Sequence, residues 1–418
     1  MPNAIKKYYP YLKNSGLYFI SSIVTAFIGI LLNPIYAMNL SHEDYAIIGY
    51  YSSFNLLLTP LLHFSLFSYY NRNYYFIKDD KREILGNTIL LGSVIIGLVS
   101  LVLFTTVFYI VYKGTNVQFP FFPYAILTFL QLYVANITSF YLIRLRLTKK
   151  AKQFSKVTIM QCIIIALLSL LLVVYYKYGA VGKLYGTLFA SILMSVYSLK
   201  KLKIKLSIDK DILIKSIKFG APLTLSAILW YFLSGFDRFL IERLNDSYTL
   251  GLYSVGLMIA SYMGIFYTTI SNTFEPDIYK TIADRNTKKL FYIMAIIIGT
   301  VAFFNIVFIL LAPYIIDLLT AGRYNDSCVF AQILAIHNIS MACYYMVVKL
   351  FIGYGFVKEE LYVRIVGAGA SIILFYVLIN HFGFIGAAWG QVASFTILTI
   401  IGVLTFYIKK TIKQVKNE

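Results

Sequence analysis

Long apolar runs separated by short polar connectors dominate this chain. A soluble fold of this size could not hide so much apolar surface in one core, so the solvent for that surface must be lipid. A helix crosses the hydrocarbon layer in roughly 20 residues. Runs of that length lie at 15–37, 46–68, 84–112, 121–143, 157–176, 181–199, 219–241, 251–273, 290–312, 328–353, 362–380 and 384–408. The pattern predicts an all-α integral membrane protein with twelve transmembrane helices. Spans five and six are the least clearly separated, with only Lys177–Ala180 between them.

The connectors orient the spans. Counted alternately, one set holds Lys6, Lys7 and Lys13, then Arg72, Lys78, Lys81 and Arg82, the cluster Arg144–Lys156, the run Lys200–Lys218, the group Lys280–Lys289, Lys358 and Arg364, and Lys409–Lys416. The other set holds only Lys113, Lys177, Lys183, Arg243 and Arg323. Such an asymmetry marks the cytoplasmic side, and a miscounted span would scramble it. Both termini are therefore expected in the cytoplasm, with basic loops that meet anionic membrane lipid. The run after Lys13 is too long for a signal-peptide core and reads as a retained first span. Tyr8, Tyr9 and Tyr11, Tyr69, Tyr70, Tyr74 and Tyr75, and Tyr175, Tyr176 and Tyr178 sit where aromatic belts meet the headgroups.

Composition agrees. The 418 residues are 59% hydrophobic and only 13% charged, against about 25% charged in soluble domains. The net charge of +19 would suggest nucleic acid in a soluble protein, but here it lies in topogenic loops, so no nucleic-acid partner is expected. Cys162, Cys328 and Cys343 lack metal-ligand or disulfide spacing, so no metal site is expected. No P-loop, GxSxG or HExxH motif is present and no connector is long enough to house an active site, so enzyme chemistry is not expected.

The two halves resemble each other. Gly179, Gly182 and Gly186 recur as Gly383, Gly386 and Gly390, at an offset of 204, and Gly16 and Gly220 share it. Gly49-Tyr50-Tyr51-Ser52 recurs as Gly251-Leu252-Tyr253-Ser254 at an offset of 202. Each of these tetrapeptides follows a short polar turn, Ser41–Tyr45 and Asn245–Tyr248. Six spans is an even number, so the halves share one orientation, as parallel repeats do. The expected division is a six-helix bundle over 1–200, a basic cytoplasmic linker over 201–218 and a second pseudo-symmetric bundle over 219–418. A ligand is expected between the bundles.

Ionisable groups at membrane depth are costly and therefore informative. Asp237 and Arg238 lie toward the outer end of span seven, with Glu242 one turn from Arg238. Either Arg238 meets an anionic substrate, with Asp237 as partner or ion site, or the residues form a structural pair or snorkel to the surface. The offset sets Asn33 opposite Asp237. Ser22, Thr25, Gly29 and Asn33 share a face of span one, and Ser52, Asn55, Thr59 and His63 share a face of span two. These polar stripes face protein or water, and meet either sugar hydroxyls or neighbouring helices. His63 and His337 are proton carriers or satisfied interhelical histidines. Lys349 and Arg144 line a cationic vestibule or snorkel.

The stretch Phe219-Gly220-Ala221-Pro222-Leu223 through Asp237-Arg238-Phe239-Leu240-Ile241, then Gly251 to Gly256, resembles the Wzx-type O-antigen flippases, in the polysaccharide-export branch of the multidrug/oligosaccharidyl-lipid/polysaccharide superfamily. Leu319-Thr320-Ala321-Gly322-Arg323-Tyr324 and the glycine triplets add to the likeness, which covers nearly the whole chain. It implies a MATE-like fold of two six-helix bundles in a V. It also implies a substrate, an undecaprenyl-pyrophosphate-linked oligosaccharide such as an O-antigen repeat unit, turned from the cytoplasmic to the periplasmic leaflet of a bacterial inner membrane. The polysaccharide polymerase and chain-length regulator would be partners. With no nucleotide site, an H+ or Na+ gradient is the expected energy source, with Asp237, Glu275 and Asp317 as coupling-ion candidates and no other cofactor. A small-molecule or drug exporter of the same fold is the main alternative, and a membrane glycan polymerase a weaker one.

Overall fold

A computed structural model describes residues 2–415, with side chains described throughout except at 2–16, 18, 19, 79, 80, 265, 268, 269, 272, 276 and 413–415. The readings placed on Lys6, Lys7, Lys13, Tyr8, Tyr9, Tyr11, Gly16, Lys413 and Lys416 lie outside the described side chains.

Every regular element among the described residues is helical. Among the described residues, nine helices are long and apolar enough to cross a membrane, and the last of these, α15 (Val357–Val415), contains a kink at Gly383 that divides it in two. The chain is an integral membrane protein that passes through the bilayer several times. Two of the expected spans, 46–68 and 251–273, are helical but interrupted, so neither holds an unbroken apolar helix of spanning length. The first is divided into α2 (His42–Ser53), α3 (Asn55–His63) and α4 (Leu66–Asn73), the second into α11 (Ser247–Ser261) and α12 (Gly264–Ala283).

The chain divides into two units, 1–228 and 229–418. The first contains α1 (Pro2–Asn39), α2 to α4, α5 (Asp79–Lys113), α6 (Tyr124–Leu147), α7 (Ala151–Leu170), α8 (Gly179–Leu202) and most of α9 (Lys210–Ser234). The stretch 210–218, basic in sequence, is thus the start of a helix. Asp209 opens it by accepting the amide protons of Asp211 and Ile212, each at 3.0 Å.

Helix starts in this unit are set by short polar signals. Ser41 and Asp44 form a reciprocal capping box on α2. The other oxygen of Asp44 accepts the amide proton of Ala180 at 2.6 Å, so the same carboxylate also caps α8. Between α7 and α8 the chain turns through a π-helical turn, Leu171–Tyr175, to Gly179 at φ 55°. The left-handed region suits a residue without Cβ, and a Cβ here would also meet the Asp44 carboxylate. Gly383 also has a positive φ, 58°.

Hydroxyl and amide side chains join the helices, as expected where lipid supplies no hydrophobic drive between them. Gln131 donates to Ser191 at 3.2 Å, and Thr138 meets Ser195 at 3.3 Å, joining α6 to α8. The break between α3 and α4 lies at Phe64 and Ser65, both left-handed (φ 44° and 51°). Gly220 of α9 packs so closely on the Phe64 carbonyl that a Cβ would overlap it, and Thr224 donates to the Ser65 hydroxyl at 3.0 Å.

The second unit contains the end of α9, α10 (Phe236–Ile241), α11, α12, α13 (Thr287–Thr320), α14 (Cys328–Tyr354) and α15. Its core gathers Leu233, Tyr344, Phe351 and Phe395 on one side, and Tyr267, Ile297, Val301 and Met346 on the other. A buried amide pair crosses it: Asn338 donates to the Ala260 carbonyl at 2.9 Å and to Asn305 at 3.3 Å.

Candidate functional site

Span seven is broken where its charges lie. Helix α9 ends at Ser234, Gly235 leaves helical geometry at φ −135°, and α10 restarts at Phe236. The break places Asp237 in the first turn of a short helix that ends in a 3-10 turn, Glu242–Leu244, and at Asn245 in the left-handed region. Asp246 then caps α11 by accepting from the Thr249 amide at 3.0 Å.

Asp237 is fully buried and Arg238 is 9% exposed. Both are turned into the protein rather than out toward the headgroups. The Arg238 Nε lies 3.7 Å from Asp237 Oδ1, and its Nη2 donates to the Ser234 carbonyl at 2.8 Å. The second carboxylate oxygen accepts from the Tyr253 hydroxyl and from Gln391 Nε2, the latter at 3.1 Å. The carbonyl of Gln391 meets His337 Nδ1 at 3.3 Å. Asp237 Oδ1, Arg238 Nε and Gln391 Oε1 are buried without a hydrogen-bond partner. Buried charge persists only when paired, and this pair is joined to α11, α14 and α15 by neutral polar groups. The arrangement sets the Asp237 carboxylate against the Arg238 guanidinium, with the side-chain oxygen of Gln391 left without a hydrogen-bond partner beside them.

A second pair lies elsewhere in the same unit. Lys349 of α14 has its Nζ 3.5 Å from Glu275 Oε2 of α12, and 3.4 Å from the Ser271 carbonyl. The structure thus joins two residues that the sequence offered for different tasks. Asp317 does not join either pair: it is exposed at the end of α13 and accepts from Asn325 at 3.1 Å.

The other sequence candidates belong to the first unit. Arg144 donates to the Leu202 carbonyl at 3.3 Å, closing the end of α8. His63 is partly buried at the break after α3, accepting the Ser65 amide proton at 3.2 Å and stacking on Phe67 at 5.2 Å. Asn33 is buried in α1. Sequence reasoning missed Tyr253 and Gln391 as members of the Asp237 group. Each stood beside a signal: Tyr253 in the repeated Gly-Leu-Tyr-Ser segment, Gln391 directly after Gly390.

Comparison with known proteins fits this architecture. Residues 11–281 match the model of a family described as polysaccharide biosynthesis protein. This chain belongs to that family. The capsular polysaccharide biosynthesis protein CapF of Staphylococcus aureus is 24% identical over 210 residues, 47% of this chain and 49% of CapF. An uncharacterized membrane protein of Methanocaldococcus jannaschii is 24% identical over 197 residues, 47% of each chain. The alignments thus span about half the length of these curated relatives. Among solved structures, the lipid II flippase MurJ in an inward closed conformation superposes with a TM-score of 0.71 at 16% identity, covering 94% of this chain and 87% of MurJ. An inward-facing multidrug resistance MATE transporter of the MOP superfamily gives 0.70 at 16% identity, covering 93% and 96%. The polysaccharide biosynthesis family in this chain is thus built on the fold of the MOP-superfamily transporters.

Proposed function

We propose that this protein is a flippase that turns an undecaprenyl-pyrophosphate-linked oligosaccharide from the cytoplasmic to the periplasmic leaflet of a bacterial inner membrane, by alternating access between two six-helix halves. One observation carries the reading: a polysaccharide-biosynthesis family match over residues 11–281 in a chain with the fold of a lipid-linked-substrate flippase. Both termini face the cytoplasm, where the basic connectors collect. The lipid tail stays in the bilayer while the pyrophosphate and sugars cross a hydrated path.

In this reading Asp237 couples transport to an ion gradient. Arg238 neutralises Asp237 at rest. A proton or Na+ arriving at Asp237 takes over that role and leaves the Arg238 guanidinium free for the substrate anion, which guanidinium binds in forked fashion. Loss of the gene should build up undecaprenyl-linked repeat units on the cytoplasmic face. Normal surface polysaccharide with no build-up would exclude the flippase. The equal likeness to a multidrug transporter supports a second reading, a cation-coupled small-molecule exporter, which predicts altered drug resistance with glycan export intact.

A further inference from the structure

Lys349 is held in an unusual way. Its side chain is only 12% exposed, so most of its hydration is gone. Its ammonium offers three donors, yet its oxygens lie at 3.5 Å (Glu275) and 3.4 Å (the Ser271 carbonyl). Both exceed the range of about 2.7–3.2 Å in which such donors bond well. Two other pairs in the same unit are closed, Lys409 with Glu359 at 2.6 Å and Arg364 in direct contact with Glu360, whereas the Arg238–Asp237 pair is also open at 3.7 Å. Glu275, by contrast, is 42% exposed. Water can solvate Glu275 if it leaves Lys349, whereas the largely enclosed ammonium has no comparable alternative.

Aromatic rings pack beside the pair. Tyr345, one turn before Lys349, stacks on Tyr267 at 5.1 Å and on Trp230 at 5.5 Å. Such a stack fixes the position of the α14 face that carries Lys349. The pair also lies near the end of α14 that leads into the connector with Lys358. The charge asymmetry assigns that side to the cytoplasm.

We infer that Lys349 is a phosphate contact whose place Glu275 fills as an internal anion, displaced when the phosphorylated headgroup of a lipid arrives. A phosphate oxygen at normal charge-assisted distance satisfies the ammonium better than the carboxylate does. The identity of that lipid as a pyrophosphate-linked glycan carrier rests on the flippase reading; the phosphate chemistry does not.

The test uses the purified full-length chain in detergent, with farnesyl pyrophosphate and phosphatidylglycerol as separate probes and melting temperature as a check on folding. Lys349→Ala should weaken farnesyl pyrophosphate binding about tenfold or more, the loss of one charge-assisted contact. Lys349→Arg should retain binding, and Glu275→Gln should tighten it severalfold by removing the competing charge. A purely structural pair makes the opposite prediction for Glu275→Gln: a lower melting temperature and no gain in affinity. Unchanged binding in folded Lys349→Ala, or no tightening in folded Glu275→Gln, overturns the inference. Where Lys349→Ala does not fold, Lys349→Gln and the Glu275→Gln arm decide. Variant effects confined to phosphatidylglycerol would assign the site to bulk membrane lipid and overturn the carrier assignment. Gene loss separates the two proposals. Build-up of lipid-linked units with variant-insensitive binding overturns the Lys349 site alone. Variant-sensitive binding with no build-up overturns the flippase alone.

Discussion

The repeat sets two regions side by side: Asn33, Tyr51 and Thr187 in the first half, Asp237, Tyr253 and Gln391 in the second. Offsets of 204 and 202 relate them pair by pair. In the first half the hydroxyls are satisfied on backbone carbonyls, Tyr51 on Pro120 at 2.8 Å and Thr187 on Leu184 at 2.8 Å. In the second, Tyr253 and Gln391 both reach Asp237. The same positions in one half close bonds with the main chain, and in the other gather around a buried charge. At these three positions the first half carries only neutral groups, and the charge stands in the second.

The largest expected effect is on the charge itself. Asp237→Ala leaves the buried Arg238 without the Asp237 carboxylate and should cost about 3–5 kcal/mol, read by unfolding in detergent micelles. Asn33→Ala removes no charge and should cost far less. Equal losses would erase the distinction between the halves. The tyrosines come next. Tyr253→Phe removes a hydrogen bond to a carboxylate and should cost about 1.5–3 kcal/mol. Tyr51→Phe should cost nearer 0.6 kcal/mol, roughly the average for such bonds in membrane helices. The smallest effect belongs to Thr187→Val, about 0.6 kcal/mol or less, against a clearly larger loss in Gln391→Leu on the same unfolding assay. A transport measurement sharpens the contrast further. Arg238→Lys keeps the charge but loses the forked geometry, and should slow export of lipid-linked glycan where an Asn33→Ala control does not.

Much of this was legible before any coordinates. Asp237 and Arg238 stand out because charge in an apolar run is expensive, and the glycine triplets stand out because they repeat. Gly383 and Gly179 do share a positive φ. What the sequence hid follows from the same logic. Tyr253 and Gln391 are neutral and cost little in any pattern of hydropathy, so nothing marks them as partners of a charge. The break at Phe64 and Ser65 carries neither glycine nor proline at its centre. The Phe64 carbonyl at the break packs against Gly220 of α9, a contact about 156 residues away in the chain that no local propensity encodes. Lys349 and Glu275 were each visible, but their meeting depends on how α12 and α14 pack.

The shared carboxylate of Asp44 has a mechanical implication. By gripping the first turn of α2 and the first turn of α8 together, it makes two helix ends a single strut. Bending within span two then falls beyond its start, at the interruptions at Phe54 and at Phe64–Ser65. Cutting the strut with Asp44→Ala would move the point of flexure, a shift that spin labels on either side of these interruptions would register as a change in their separation.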